Sequence, residues 1–414
     1  MDAPLRRKIL SHFKADALTG VAYKDHSRRK GIISRLSGME EITINEISES
    51  LNISVPKATE LLADLAKVGF VKERGKRSEG PGRKATYYGL AADSCYFIGI
   101  EIKKYKLNIG LMGFNKTIEK ASFDIPFFLE DANASLNEIV KQVRQFINEC
   151  GVPTGKIVGI GVSISGRINV RTGEILTIYH FSDAPVKKTL EAEFGMPVFL
   201  DNDSRTLAYG EFHFGKRQQE SEVLVLNLDY GMALGIFVNS KPVYGASGYA
   251  GELGHIPLFE NEKICFCGKK GCMETVASGA ALIDWILLHM KGGSNSVLAK
   301  VLEEKGIIEL QDVVEAVKKG DNLAIQGIGN IAGNIGRGLA VTINLLNPQL
   351  IILSGVLSEV GESLLLPIKT SIIEHSLTLV SSDTKVVLSG LNEKAGLLGA
   401  CLLVRDKIVG LVES

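Results

Sequence analysis

The chain lacks any run of about eighteen uninterrupted apolar residues, which excludes a membrane-spanning helix. No apolar segment follows the Arg6-Arg7-Lys8 cluster, so a secretory leader is not expected and a cytoplasmic location is. No regular cysteine framework exists either: Cys95, Cys150 and Cys401 lie scattered, as suits a reducing compartment. Solenoid repeats and low-complexity tracts are missing, and so is net charge, which is formally zero. That zero sums unlike parts. Residues 1–90 hold 17 Lys and Arg against 11 Asp and Glu, so the remainder is negative by the same amount. Such asymmetry points to a polyanion-binding module on an acidic body, although a solvated basic face would give the same count.

What is present begins with size. At 414 residues, 45% hydrophobic and 23% charged, the chain suits a globular protein of two or three domains. Near the start, Ile32, Ile33 and Leu36 mark a helix over Ser27 to Leu36, closed by Ser37-Gly38. Thr43-Ile44-Asn45-Glu46 is a capping box opening a second helix. Ser54 is placed to cap a third, whose Val55, Ala58, Leu62 and Leu65 repeat along one face until Gly69. Two short helices so spaced form a helix-turn-helix, with the second reading the major groove. Phe70 to Arg74 and Ala85 to Leu90 then flank a Gly-rich basic loop, a wing carrying Lys76, Arg77, Arg83 and Lys84. The recognition helix offers Lys57 and Thr59 but no Arg, so the wing should carry much of the affinity for DNA. A protein-interaction module could share the helical pattern without the basic wing.

Farther on, His255, nine residues, Cys265-Phe266-Cys267, four residues and Cys272 supply one imidazole and three thiols. That is the ligand set of a closed structural zinc site. Gly268 and Gly271 provide turns for the loop, and four protein ligands leave no place for a metal-bound water. Reduced cysteines packed beside a buried His are the plainer alternative.

From Cys95 the pattern becomes α/β. Strands are expected at Phe97 to Ile100, Leu107 to Met112, Ile157 to Ile164, Val223 to Leu228, Leu234 to Val238 and Leu350 to Leu353. Helices are expected at Ala134 to Glu149 and Gly329 to Leu346. Asp201-Asn202-Asp203 falls where the apolar Pro197 to Leu200 segment gives way to a helical pattern, a junction where α/β sheets bind ligands. Asp203 could take a proton from a hydroxyl there, with Asn202, Glu252 and Glu274 holding a polyol. Helix capping alone would equally account for Asp and Asn at this place.

Together these residues resemble the ROK family of bacterial sugar kinases and repressors. The likeness rests on Glu252-Leu253-Gly254-His255, the zinc spacing, Asn202-Asp203 with Gly210-Glu211, and Asn347-Pro348 leading to Ile351-Ile352-Leu353-Ser354-Gly355, similar to the family's segment near the nucleotide base. It implies a multidomain chain: a winged helix-turn-helix followed by a two-lobed α/β, actin-like (sugar kinase, ribonuclease H-like) body whose last helix, Lys394 to Asp406, returns to the first lobe. The expected domains are 1–90, 91–201 plus 390–414, and 202–389 with the zinc loop. The resemblance implies that Asn202, Asp203, Glu252, His255 and Glu274 hold the sugar, and that Asp203 matches the family's catalytic base. It also implies that His255 ligates zinc with one ring nitrogen and faces the sugar with the other.

Two departures separate this chain from the family's kinases. Their Asp-x-Gly-Gly-Thr phosphate loop is replaced by Glu101-Ile102-Lys103-Lys104-Tyr105, and their Gly-Thr-Gly by Asp229-Tyr230-Gly231. A carboxylate there repels a γ-phosphate. The expectation is a non-enzymatic, sugar-responsive repressor with structural zinc. It would bind operator DNA as a homodimer or higher oligomer, answer to a monosaccharide or sugar phosphate, and have no membrane partner. The alternatives are an active sugar kinase with an accessory domain, and a DNA-binding protein governed by another protein.

Overall fold

Buried apolar strands and helices gather the chain into two compact units, Met1–Asn202 with Ala400–Ser414, and Asp203–Gly399. The computed structural model describes residues 3–15, 18–77, 84–128, 133–169, 174–175 and 186–412.

The first unit opens with α1 (Ala3–Ser11), α2 (Gly20–Gly38), β1 (Ile42–Thr43), α3 (Ile44–Ser50), α4 (Val55–Lys67), β2 (Val71–Arg77) and β3 (Ala85–Leu90). The capping box forms as its residues dictate: Thr43 Oγ1 accepts the Glu46 amide at 3.3 Å and Glu46 Oε2 accepts the Thr43 amide at 2.7 Å. The β-strands make an antiparallel sheet ordered β1-β3-β2. Two local expectations are corrected and one helix is added. α2 starts at Gly20, earlier than Ser27; α1 had no sequence signal beyond a few apolar positions; and Ser54 makes no side-chain cap, since Pro56 in the first turn already fixes the helix start.

Five further strands of this unit are β4 (Tyr96–Ile102), β5 (Lys106–Gly113), β6 (Ile118–Pro126), β7 (Ile157–Ile164) and, after the short hairpin β8 (Ile168–Asn169) and β9 (Glu174–Ile175), β10 (Val198–Asn202). Their order is β10-β7-β4-β5-β6, with α5 (Asn133–Glu149) and α6 (Val186–Phe194) between the parallel strands. β4 and β7 are buried along their whole length, which is why they read as continuous apolar runs. The N-terminal helices share one core with this sheet: Phe13, Phe70 and Phe114 stack with centroids 4.9 to 6.0 Å apart, beside Phe97, Val158 and Val404. Arg6 adds donations to Ile157 O at 2.7 Å and Thr154 O at 3.0 Å.

The second unit contains α7 (Asp203–Phe214), β11 (Val223–Leu228), β12 (Met232–Val238), β13 (Lys241–Pro242), α8 (Glu274–Ala277), α9 (Gly279–Lys291), α10 (Leu298–Lys305), α11 (Leu310–Lys318), α12 (Asn322–Leu346), β14 (Leu350–Ser354), α13 (Glu362–His375), α14 (Thr378–Ser381) and β15 (Lys385–Leu388). Its sheet runs β13-β12-β11-β14-β15, the same plan as the first unit: three antiparallel strands, then two parallel ones beside the first. Helix α15 (Lys394–Val409) begins in this unit and ends in the other. Where α15 crosses α7 there is no room for a side chain. A Cβ on Gly210 would lie 2.1 Å from Ala395 O, and one on Gly399 1.7 Å from Thr206 O.

Candidate functional site

The chain places His255 on a 3₁₀ turn, Leu253–His255, and brings three cysteines to it through a knuckle. Gly268 and Gly271, at φ +84° and +77°, reverse the chain, while Cys265 N donates to Lys269 O at 2.8 Å and Gly268 N to Cys265 O at 2.8 Å. The result gathers one ligand atom from each of His255, Cys265, Cys267 and Cys272 within 4.8 Å of one another. Cys265 Sγ lies 3.5 Å from His255 Nδ1, and Cys267 Sγ lies 3.6 Å from Cys272 Sγ. A tetrahedron with Zn–S bonds of about 2.3 Å has S···S edges of roughly 3.8 Å, so these residues fit zinc with little movement. Without the cation, burial pushes the Cys265 thiol up to about 12 and holds Cys272 above its ordinary value. Cys267 is lowered, chiefly by the Lys269 backbone amide. A bound metal would deprotonate all three.

His255 uses its two nitrogens in opposite directions. Nδ1 faces Cys265, whereas Nε2 lies 3.6 Å from Glu252 Oε2. Glu274, at the start of α8, has Oε1 3.5 Å from Cys265 Sγ and its other oxygen against Gly231, where a Cβ would lie 3.0 Å away. Glu252 and Glu274 thus flank the cluster of His255 and the three cysteines. Asp203 stands at the first position of α7, its Oδ1 accepting the Ser204 amide at 2.7 Å. Asn202 ends β10 and donates to Gly166 O at 3.0 Å.

Asn227 went unnoticed in the sequence. It lies in β11, donates to Ser204 Oγ at 2.9 Å, and has its Oδ1 buried without a partner among the described residues. One amide inside the apolar Val223-Leu224-Val225-Leu226-Asn227-Leu228 strand was the available signal. Arg205, next to Ser204, fastens Gly248 O.

The two segments that depart from the kinase pattern close upon themselves. Lys103 N donates to Lys106 O at 2.9 Å, making a tight hairpin turn, and Glu101 is buried and held by Asn108 Nδ2 at 2.7 Å. In the other segment, Asp229 Oδ1 accepts the Tyr230 amide at 2.8 Å, while the carbonyls of Asp229 and Tyr230 accept the amides of Gly279 and Ala280 at 3.0 Å each. The Tyr230 N–H therefore already serves a carboxylate of its own loop.

On the N-terminal region Thr59, Lys76 and Lys84 are exposed, and Arg83 lies outside the described residues. Lys57 is not freely exposed as the helical pattern suggested: Asp25 at 2.8 Å and Glu60 at 2.9 Å hold its ammonium. The Lys57 hydrogen bond is the main reason the Asp25 carboxyl titrates below its ordinary range. Arg77 pairs with Glu41 and lies over the Tyr87 ring, 5.2 Å from its centroid.

Against known proteins, the sequence pattern of the ROK family matches residues 97–407. The chain is similar to the xylose repressor of Caldicellulosiruptor bescii, 26% identical over 376 residues, which cover 90% of this chain and 94% of that protein. It is also similar to the glucokinase of Halalkalibacterium halodurans, 33% identical over 257 residues, 61% of this chain and 77% of that one. Among solved structures, a ROK family transcriptional regulator, a homologue of the E. coli MLC protein, superposes with a TM-score of 0.78 at 24% identity, covering 92% of this chain and 96% of that one. That likeness establishes the fold, an actin-like sugar-kinase body carrying an additional N-terminal region.

Proposed function

Because the chain belongs to the ROK family, we propose that it is a sugar-responsive transcriptional repressor whose kinase-like body senses a carbohydrate without phosphorylating it. Likeness to a xylose repressor over 90% of the chain supports this function, since a match of that length reaches into the N-terminal region as well as the body. The observation that carries the loss of catalysis is the self-occupied loop at Asp229. Phosphoryl transfer depends on positioning the phosphates and neutralising their charge, and a carboxylate seated on the loop amide opposes both.

Residues 1–90 form the DNA-binding module in this account. Their helices and β2–β3 hairpin have the succession of a winged helix, in which α4 enters the major groove and the wing, with Lys76, Arg77, Arg83 and Lys84, meets phosphate. Residues 91–201 with 390–414 and residues 202–389 are the two halves of the sensor. Asn202, Asp203, Glu252, His255 and Glu274 hold the sugar. His255, Cys265, Cys267 and Cys272 hold zinc, which supplies a structural clasp for the loop and fixes the imidazole through Nδ1, leaving Nε2 for the ligand. Two chains present two modules to a palindromic operator, as twofold symmetry requires. Because the module lies within the first unit and shares a core with its β10-β7-β4-β5-β6 sheet, a change of that sheet on sugar binding is transmitted to the module. A coupling of about 1 to 3 kcal/mol changes operator affinity roughly 5 to 150-fold.

A sugar kinase is the second possibility, favoured by the position of Asp203 at the start of α7 and by likeness to a glucokinase. A thermal-shift screen of sugars with and without ATP separates the two. Stabilisation by sugar alone supports the sensor; a sugar-dependent ATP response, with phosphorylation lost in Asp203→Asn, supports the enzyme.

A further inference from the structure

Strand β11 is apolar at every position but one. Leu224, Leu226 and Leu228 enter the core of the second unit, so the alternation of the strand sends Asn227 to the opposite face, toward the start of α7. Asn227 is only 8% exposed, and burying a primary amide costs free energy that an aliphatic side chain would not. Its two ends are unequally served. Nδ2 donates to Ser204 Oγ at 2.9 Å, while Oδ1 is buried with no hydrogen-bond partner among the described residues. Gly355 closes over that oxygen, since a Cβ there would lie 2.5 Å from it. The bond to Ser204 is therefore what the amide supplies at this place.

That bond continues to Asp203. The amide nitrogen can only donate, so it fills an acceptor position of Ser204 Oγ and leaves the single hydroxyl proton to be passed onward. Ser204 Oγ donates it to Asp203 Oδ1 at 3.3 Å, and the Ser204 backbone amide reaches the same oxygen at 2.7 Å. Asn227, Ser204 and Asp203, all in the second unit, thus form a hydrogen-bonded series that runs one way, from a buried amide to a half-buried carboxylate at the first position of α7. Two donors on one oxygen fix the plane of the carboxylate, and a carboxylate so fixed accepts a ligand hydroxyl from a restricted direction. We propose that Asn227 is a positioning residue that orients Asp203 through Ser204 and thereby sets the discrimination for one hydroxyl of the ligand. This rests on the reading of Asp203 as a residue that holds the sugar, and adds the group that aims it.

The test is calorimetric titration of the full-length, zinc-loaded chain with D-glucose, D-mannose, D-xylose and N-acetyl-D-glucosamine, and with the monodeoxy analogues of those that bind. The chains compared are wild type, Asp203→Ala, Asn227→Leu, Asn227→Asp, Ser204→Ala and Ser204→Thr. Wild type should bind at least one sugar and lose affinity about tenfold or more when the hydroxyl facing Asp203 is removed, as a site built to hydrogen-bond a hydroxyl does. That hydroxyl is the one whose removal makes no further difference in Asp203→Ala. In Asn227→Leu and Ser204→Ala the ratio between sugar and analogue should fall about tenfold, the loss being borne by the sugar. Asn227→Asp, which offers Ser204 only acceptors, should behave as Ser204→Ala does; Ser204→Thr, the conservative variant that keeps the hydroxyl, should restore most of the ratio. Combining Asn227→Leu with Ser204→Ala should add nothing, because both act through one series. An unchanged ratio in the position 227 variants, or an equal weakening toward every sugar and analogue as a merely structural role would give, overturns the proposal. If Asn227→Leu fails to fold by circular dichroism, Asn227→Asp and Ser204→Ala decide on the same readout. A wild type that binds none of the sugars removes the sensing reading and this inference with it, whereas sugar binding whose discrimination ignores positions 204 and 227 sinks the inference alone.

Discussion

Arg405 donates to the Ser37 hydroxyl at 2.5 Å, joining positions 368 apart and tying the end of α15 to the end of α2. The same guanidinium is fully buried, donates to Phe114 O at 2.8 Å and pairs with Asp406. Arg405→Ala deprives a buried carboxylate and a carbonyl of that charge, so it should cost about 3 to 5 kcal/mol. Urea denaturation followed by near-ultraviolet dichroism measures this, and the double variant Arg405→Met, Asp406→Leu should recover much of the loss. A shift of the single variant below about 1 kcal/mol would mean that the link is ornamental.

The metal prediction concerns the knuckle. The purified chain should carry about one zinc, as a four-ligand structural site holds. Cys267→Ser should release it and weaken sugar binding by about tenfold or more, because the clasp that orients His255 is loosened. Elemental analysis with sugar titration is the check; a zinc-free chain that binds sugar as tightly as the loaded one contradicts the coupling.

Wing contacts should appear in salt dependence. Replacing Arg83 and Lys84 with Ala should weaken binding to every sequence alike and lower the slope of log affinity against log salt by about 0.9 for each phosphate contact removed. Lys57→Ala should move that slope less, because Asp25 and Glu60 already engage the ammonium. Equal slopes for wild type and the wing variant would remove the wing from the interface.

Glu211 gives the pH prediction. It is buried in α7, accepting from Ser354 Oγ at 2.8 Å and from Ser389, and burial raises its carboxyl above the ordinary range against the opposing effect of those hydroxyls. The folded state then holds more protons than the unfolded one. Its contribution to stability is full below the ordinary carboxylate range and is lost as pH rises through the raised value. Glu211→Gln, which keeps an acceptor for both serines, should flatten this decline in thermal melts taken from mildly acid to mildly alkaline pH. A variant with an unchanged slope would show that the group titrates normally.

How much of this was legible in the sequence depends on range. The gathering of His255, Cys265, Cys267 and Cys272 was, since they lie within eighteen positions and Gly268 and Gly271 announce the turns. The Thr43–Glu46 capping box and the apolar runs of β4, β7, β11 and β14 were, for the same local reason. Edge strand β6 was not, because its half-exposed Ile118–Pro126 mixes polar and apolar residues without a clean period. Nor was the pairing of Val223 with Leu350, or the shared plan of the two sheets, because strand partners remote in sequence leave no local mark. The ion pair that holds Lys57 was hidden likewise, since Asp25 sits 32 positions away on another helix.

The most direct test of the account is operator binding at one fixed salt concentration, with and without a panel of monosaccharides and their phosphates, in the absence of ATP. At least one sugar should weaken operator binding by roughly 5 to 150-fold, with Asp203→Ala abolishing the response and leaving sugar-free DNA affinity unchanged. Operator affinity indifferent to every sugar, or sensitive only when ATP is supplied and consumed, would contradict it.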